Sequence, residues 1–284
     1  MDSAANHPVS AGVTAMIFTL NEEIHLPSCL ASLAWCDDVI VVDSYSTDRT
    51  EELCRSAGAR FFQRAFDGFG KQRTWAIRNT MPRHDWILVL DADERVPPEL
   101  ARELAYAARM PDKGVGAWRL RRRFFMFGRW LRFSGLYPTW VVRLVHKDRV
   151  HYVNRGHAET QEVDGPVRQL RNDLIDENLK GLGEWFERQN RYSTEDARYE
   201  LSLESRPLQM LEVLASDPLM RRAALKRVAA ALPGRPLVYF IYAYVLRGGF
   251  LEGTHGLMYC TMRAMYQAMV VMKKYELRGK AGAP

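Results

Sequence analysis

Two kinds of hydrophobic spacing alternate through the first 110 residues. Residues 14–20, 38–43, 59–65 and 86–90 are short runs rich in β-branched and other apolar side chains. Each is followed by a stretch whose apolar positions recur at helical spacing: 23–35, 50–57, 71–81 and 98–110. This alternation predicts βαβ units and a mostly parallel sheet, an α/β fold. Val39-Ile40-Val41-Val42 and Ile87-Leu88-Val89-Leu90 are apolar at every position, as strands covered on both faces require. Both end in a carboxylate, Asp43 and Asp91. Ligands of open α/β sheets bind beyond the carboxyl ends of the strands, so these two acids are expected to share one crevice.

Beyond residue 114 the pattern changes. Residues 115–125 and 140–153 read as strands, the second turning near Lys147-Asp148, and 160–171 carries a hairpin-like Asp164-Gly165-Pro166. From residue 179 onward the spacing is helical, punctuated by Pro207, Pro218, Pro233 and Pro236. There are no internal repeats.

Composition narrows the class. At 284 residues, with 47% hydrophobic, 11% aromatic and 26% charged side chains, the chain is globular and long enough for a large buried core. Forty Lys and Arg against thirty-four Asp and Glu give a net charge of +6 and point to anionic partners. The excess is localised: residues 119–149 hold nine basic side chains against Asp148 alone, and residues 206–284 hold twelve against four acids. Cys29, Cys36, Cys54 and Cys260 form no CxxC pair, so a reducing compartment is expected rather than a zinc module or disulfide framework. The first dozen residues lack the charged start and apolar run of a secretory signal.

Three strand ends carry candidate chemistry. Asp91-Ala92-Asp93, after a buried strand, can offer hard oxygen ligands to Mg2+ or Mn2+ while a substrate diphosphate completes the shell; the alternative is a solvated acidic turn or helix cap before Pro97-Pro98. In Asp43-Ser44-Tyr45-Ser46-Thr47-Asp48-Arg49-Thr50, Thr47 or Asp48 suits a helix cap, and Asp43 is either an acceptor for a uracil imide N–H or a buried acid paired with Arg49. Phe18-Thr19-Leu20-Asn21-Glu22-Glu23 aims polar groups at the same crevice, or else begins a helix.

Taken together, FTLNEE, VVDSYSTDRT, the GFGKQRTWA segment and LVLDADER resemble the family 2 glycosyltransferases of the GT-A fold, over residues 14 to about 95. The resemblance implies a Rossmann-like nucleotide-sugar-binding sheet and transfer of a sugar from a nucleotide donor to an acceptor hydroxyl with inversion. It implies that Thr19, Asn21, Glu22 and Asp43 hold base and ribose, that Lys71 and Arg73 lie near the donor, that Asp91 contacts ribose or metal, and that Asp93 binds the metal. Further on, GRWLRFSGLYPTWVVRLV and YVLRGGFLEGTHGL are similar to a bacterial subgroup that adds glucose to the lipopolysaccharide inner core. That subgroup carries His directly before Glu, whereas this chain reads His157-Ala158-Glu159. Glu159 is the implied base on the acceptor side, and His157 is a third metal ligand, a diphosphate partner or a structural residue. Glu162 and Asp164 are the neighbouring acids in that region.

The implied organisation is a nucleotide-sugar half at 1–114, an acceptor-side half at 115–178 and a helical, membrane-associating region at 179–284. The basic, aromatic stretch at 119–149 suits a phosphorylated, sugar-rich lipid, and it also has the composition of single-strand nucleic-acid binders, though no nucleic-acid-binding motif accompanies it. The apolar runs at 237–246 and 256–272 are shorter than a spanning helix and flanked by Arg235, Arg247, Lys273 and Lys274, which suits helices lying on an anionic membrane surface; buried core or dimer helices are the alternative. The expected enzyme is a peripheral glucosyltransferase at the cytoplasmic face of the bacterial inner membrane, using UDP-glucose and a divalent cation on a lipopolysaccharide core acceptor. The competing readings are transfer to polyprenyl phosphate or another surface glycan, a nucleic-acid-binding protein, and a nucleotide-binding scaffold without turnover.

Overall fold

The computed structural model describes residues 12–110, 114–155, 158–204 and 234–281. The chain divides into a sheet-bearing unit that ends at Lys180 and a helical unit from Gly181 onward, which also takes in Phe133–Leu136.

The first unit begins with β1 (Val13–Thr19), α1 (Leu26–Ala31), β2 (Asp38–Asp43), α2 (Thr50–Ser56), β3 (Arg60–Gln63), α3 (Phe69–Asn79) and β4 (Trp86–Asp91). It continues with β5 (Glu94–Arg95), α4 (Pro98–Arg109), β6 (Ala117–Met126), β7 (Arg129–Trp130) and β8 (Thr139–His146), then β9 (Val150–Arg155), β10 (Ala158–Val163) and β11 (Val167–Glu177). One sheet runs in the order β3-β2-β1-β4-β8-β6-β11-β5, with β7 on β6. The four strands of the βαβ part are parallel, β8 is antiparallel to β4 and to β6, and β11 runs parallel to β6.

Alternation along the strands sorts side chains onto two cores. Val13, Ala15, Ile17, Leu88, Leu90, Trp118, Leu120 and Leu144 pack against Leu26 and Leu33 at α1 and Leu100 and Leu104 of α4. The intervening positions, Met16, Ile40, Val42, Ile87, Val89, Ala117 and Val145, pack against Ala76 and Ile77 of α3 and Tyr152 of β9.

The helix expected at 23–35 is shorter in the structure, Leu26–Ala31. Pro27 lacks an N–H and suits only a first turn, and the Glu22 and Glu23 amides donate to Thr50 Oγ1 and Asp48 Oδ2 instead of entering a helix. The hairpin expected around Asp164-Gly165-Pro166 is also corrected. The turn exists, but β10 pairs with β9 while β11 joins β6 in the large sheet. Gly165, at φ +103°, passes so close to the Gly114 carbonyl that a Cβ would lie 2.4 Å from it, so the turn docks on the start of β6 and sends its flanking strands to different sheets.

Two irregularities bear on the site. Between Trp118/Leu144 and Arg119/Val142 one step on β6 spans two on β8, which makes Arg143 the extra residue of a β-bulge. On β11 the register shifts between Gln169 and Asp173, and the Arg171 and Asn172 amides freed there donate to the Glu103 carboxylate of α4 at 2.7 and 2.9 Å.

In the second unit, α5 (Leu182–Glu204) packs on α7 (Gly253–Ala281) through Ala197, Tyr266 and Val270, and the Tyr266 hydroxyl donates to Asp196 at 2.5 Å. Between them α6 (Arg235–Phe240) runs into a π turn, Ile241–Leu246, and a 3-10 turn, Gly249–Glu252. A Cβ on Gly256 would fall 2.0 Å from the Gly249 carbonyl, which explains why glycine stands at that position of the GGFLEGTHG run. The buried Glu252 carboxylate accepts from the Phe133 and Ser134 amides and the Ser134 hydroxyl, tying Phe133–Leu136 to this unit. Among the described residues, no helix is long and apolar enough to cross a membrane. Of the expected tail segments, Pro207, Pro218 and Pro233 lie outside the described residues.

Candidate active site

Because β1, β2 and β4 are parallel neighbours, their carboxyl ends lie side by side, with Thr19 opposite Asp43 and Phe18 opposite Asp91. The loops that follow are stitched together. The Thr19 hydroxyl donates to Asp43 Oδ1 at 2.8 Å, and the Ser46 amide and hydroxyl donate to the same carboxylate at 2.8 and 2.5 Å. The Asn21 amide donates to Ser46 Oγ at 2.7 Å and its side-chain oxygen accepts from the Thr47 amide at 2.8 Å, with Asn21 itself in the left-handed region at φ +55°. Asp48 Oδ1 accepts the Thr50 amide at 3.0 Å at the entry to α2. Asp43 is therefore a buried acid, but its partners are Thr19 and Ser46, while Arg49 pairs with Glu52.

Glu22 joins a second set of contacts. Its carboxylate meets His25 Nδ1 at 2.6 Å and Lys180 Nζ at 2.6 Å, and His25 Nε2 accepts the Leu179 amide at 2.7 Å. An accepting Nε2 places the ring proton on Nδ1, so His25 donates to Glu22. This relay fastens the segment after β11 to the loop after β1.

Five carboxylates and three guanidiniums form the centre. Asp91 is held by Arg73 and by Arg143, each at 2.7 Å, and Arg143 also reaches Glu94 at 2.5 Å. Asp176 pairs with Arg122 at 2.9 Å, Asp93 accepts the Asn178 amide at 3.1 Å, and Glu159 pairs with Arg73. Arg73 thus bridges Asp91 and Glu159, with its guanidinium over the rings of Phe18 and Phe69. Acids outnumber cations by two in a largely buried space.

The titrations reflect that excess. Burial acts to raise the Asp91 pKa, but the charges of Arg143 and Arg73 outweigh it and hold the carboxyl well below the usual range. Asp93 is pushed up, first by burial and then by the negative charges of Asp91 and Glu22. Burial pushes Glu94 up to about 8 against the pull of Arg143, and Asp176 up to about 7 against Arg122. In the unfolded chain both acids ionise near about pH 4. The native state therefore holds more protons between that value and their folded pKa values, so the stabilisation is complete below about pH 4 and is lost as pH rises toward 8. The melting temperature in chelator should fall across this window, and Glu94→Gln should flatten the fall. An unchanged slope in the variant would assign the dependence elsewhere.

The structure separates several sequence expectations. Thr19, Asn21, Glu22, Asp43, Arg73, Asp91, Asp93 and Glu159 gather at the strand ends. Lys71 does not join them: it is exposed on α3, two positions before the buried Arg73, and its carbonyl accepts from Arg64. His157 lies outside the described residues. Gln72, which donates to Ser44 Oγ at 2.8 Å, and Arg143, Glu94, Asp176, Asn178 and Tyr152 were not singled out by sequence reasoning. For Arg143 the signal was present: one charged residue inside Val141-Val142-Arg143-Leu144-Val145. The Tyr152 hydroxyl, buried beside these charges, has no hydrogen-bond partner among the described residues.

Among the described residues, no three His, Cys, Asp or Glu side chains converge as a closed metal site would require. A divalent cation shared with a diphosphate needs only one or two protein carboxylates. Asp93 fits that need, because its carboxylate has one amide partner and lies in a field of like charge. Asp91, with both oxygens on guanidiniums, would have to exchange a partner to serve.

Residues 14–160 match the family model described as glycosyl transferase family 2. The chain is 25% identical over 290 residues to the lipopolysaccharide core biosynthesis glycosyltransferase LpsC of Rhizobium meliloti, covering 96% of this chain and 95% of that one. It is 38% identical over 95 residues to an uncharacterised glycosyltransferase of Rickettsia bellii, covering 33% and 32% of the two chains. Among solved structures, the mannosyltransferase PcManGT from Pyrobaculum calidifontis, in complex with GDP-Man and Mn2+, superposes with a TM-score of 0.52 at 14% identity, over 93% of this chain and 87% of that one. The fold is that of the GT-A glycosyltransferases, and the chain belongs to glycosyl transferase family 2.

Proposed function

We propose that this glycosyltransferase transfers glucose from UDP-glucose, with inversion, to a hydroxyl of a lipopolysaccharide inner-core acceptor. The observation that carries the reading is the Asp91–Arg73–Glu159 bridge, which sets the acid assigned to the donor side and the acid assigned as base on the two ends of one guanidinium. Its acceptor class is supported by the near full-length likeness to LpsC.

Inverting transfer is a single in-line displacement. The acceptor oxygen bonds to the anomeric carbon as the bond to the diphosphate oxygen breaks, and the acceptor proton passes to a base, here Glu159. Thr19, Asn21 and Asp43 shape the nucleotide end, and for a uracil imide to reach Asp43, Ser46 must first give up the carboxylate. Arg73 attracts the diphosphate. A divalent cation on Asp93 would supply the charge that neutralises the leaving diphosphate. The test is a screen of nucleotide sugars with Mn2+, reading melting temperature and then transfer to purified core oligosaccharide. Stabilisation and turnover with UDP-glucose support the reading; a different nucleotide sugar, or transfer to polyprenyl phosphate, replaces it.

We also place the enzyme on the cytoplasmic face of the inner membrane, held by its helical unit. Leu237, Val238, Ile241, Tyr242, Val245 and Leu246 recur at helical spacing along one stripe and are exposed by between 42% and 73%, with Arg235 and Arg247 at its ends. Apolar insertion and basic attraction would act together there. The protein should sediment with anionic vesicles and be released only by high salt with mild detergent. Full recovery in the supernatant at low salt would assign the stripe to protein packing.

A further inference from the structure

Along β6 the side chains alternate between core and surface. Trp118 and Leu120 enter the core beneath α4, while Arg119, Arg121 and Arg123 continue the opposite face, the one whose core includes Ala117 and Val89. Asp91 follows Val89 by two residues on β4 and shares that face. The three arginines therefore form a row on that face of β6, two strands over from β4 and alongside its carboxyl end.

Their guanidiniums are laid over aromatic rings from neighbouring segments. Arg119 lies 5.3 Å and Arg121 5.9 Å from the centroid of Trp140, Arg121 also lies 5.9 Å from Tyr137, and Arg123 lies 5.3 Å from Trp130. Asp173 is the acid of this row. It accepts Nε of Arg121 and of Arg123, each at 2.7 Å, and the Tyr137 hydroxyl at 3.0 Å, and it is almost wholly buried. Among the described residues Arg119 has an aromatic partner and no acid, and its buried Nε has no hydrogen-bond partner. Like charges two residues apart on one strand face repel, and a single carboxylate leaves the row with surplus positive charge.

Stacking fixes each guanidinium plane; Arg121 gives one terminal nitrogen to the Arg171 carbonyl, and the remaining N–H edges are left for a ligand. Arg121 and Arg123 remain 32% and 37% exposed, and Trp140 37%. Planar forks held in this way suit phosphate or carboxylate groups. They do not suit nucleic-acid bases, because the ring faces on which bases would stack already carry guanidiniums. We propose that this arginine–aromatic row is the acceptor-holding surface, gripping oxyanion groups of an oligosaccharide whose reactive sugar reaches the Asp91 end. The proposal rests on the transferase reading above and names the feature of the acceptor that is recognised.

The experiment titrates the full chain with pentamannose phosphate, the same pentamannose without phosphate, tetragalacturonate and oligothymidylate, following tryptophan fluorescence. UDP with Mn2+ is titrated separately as a donor-side control. The phosphorylated sugar, the galacturonate or both should bind about tenfold or more tightly than the neutral sugar, and the two charged arms tell phosphate from carboxylate. Arg119→Met should cost about tenfold in that affinity, with UDP affinity and melting temperature unchanged. Arg119→Lys, which keeps the charge and loses the fork, should cost several-fold and serves if the first variant does not fold. Equal binding of charged and neutral sugars, unchanged affinity in both variants, or tighter binding of oligothymidylate lost in the same variants would overturn the proposal. If UDP fails to bind and no nucleotide sugar turns over while the charged sugars still depend on Arg119, the transferase reading fails and the surface stands.

Discussion

Asp93→Asn should lose on the order of a thousandfold in metal-dependent turnover, which corresponds to about 4 kcal/mol of transition-state stabilisation, while melting at or above the wild-type temperature. The two halves of this expectation have one cause. Asp93 sits where burial and the charges of Asp91 and Glu22 raise its pKa, so its ionised form is a destabilising element of the folded protein. Asn keeps the volume and an oxygen for the Asn178 amide, and it removes the repulsion. A structural carboxylate would show the opposite: its loss would lower stability and leave turnover largely intact. Calorimetric melting in chelator, set beside initial rates over a Mn2+ titration, separates the two. Wild-type turnover in the variant would exclude Asp93 as the metal-holding acid.

The parts of this site that the sequence discloses are those made by one short segment. Asp43 and Asp91 are legible because each ends a strand that is apolar on both faces, and such strands give the same pattern in any α/β sheet. The bounds of β2 come out as Asp38–Asp43, as expected, for that reason. What is not legible is pairing. Arg143 meets Asp91 across β4 and β8, fifty-two residues away in the chain, and its inward aim comes from a bulge whose extra residue no local periodicity marks. Glu94 reads as one more acid in an acidic turn, yet the structure buries it against the Asp91 amide and Arg143. Asn178 and Lys180 reach Asp93 and Glu22 only because β11 joins the far side of the sheet instead of folding back on β10. The turn at Asp164-Gly165-Pro166 shows the same limit: local chemistry specifies a reversal, and the close pass of Gly165 over Gly114 decides which strands it serves. Helical spacing in the tail is readable, whereas the choice of outward stripe requires knowing which side of α6 and the following π turn packs on α7.

Glu159→Gln should bind the donor at least as well as wild type and transfer sugar roughly a hundredfold to ten-thousandfold more slowly, the range expected when a general base is removed. Geometry distinguishes it from the two acids nearby in sequence. Glu159 is paired with Arg73 at the strand-end centre, whereas Glu162 and Asp164 are exposed on β10 and in the turn that follows. The pairing also predicts the sign of the binding change. In the free protein Arg73 divides its charge between Asp91 and Glu159, so a diphosphate must compete with Glu159 for that guanidinium. The neutral amide releases part of it, and UDP affinity should stay level or rise in Glu159→Gln, a gain that Arg73→Met should abolish in the double variant. Rates at saturating donor and acceptor, with calorimetric titration of UDP and Mn2+, report the two effects separately. Wild-type transfer in Glu159→Gln, together with loss in Glu162→Gln or Asp164→Asn, would move the base further along β10 or into the turn that follows it and leave the Arg73 pair a purely structural contact.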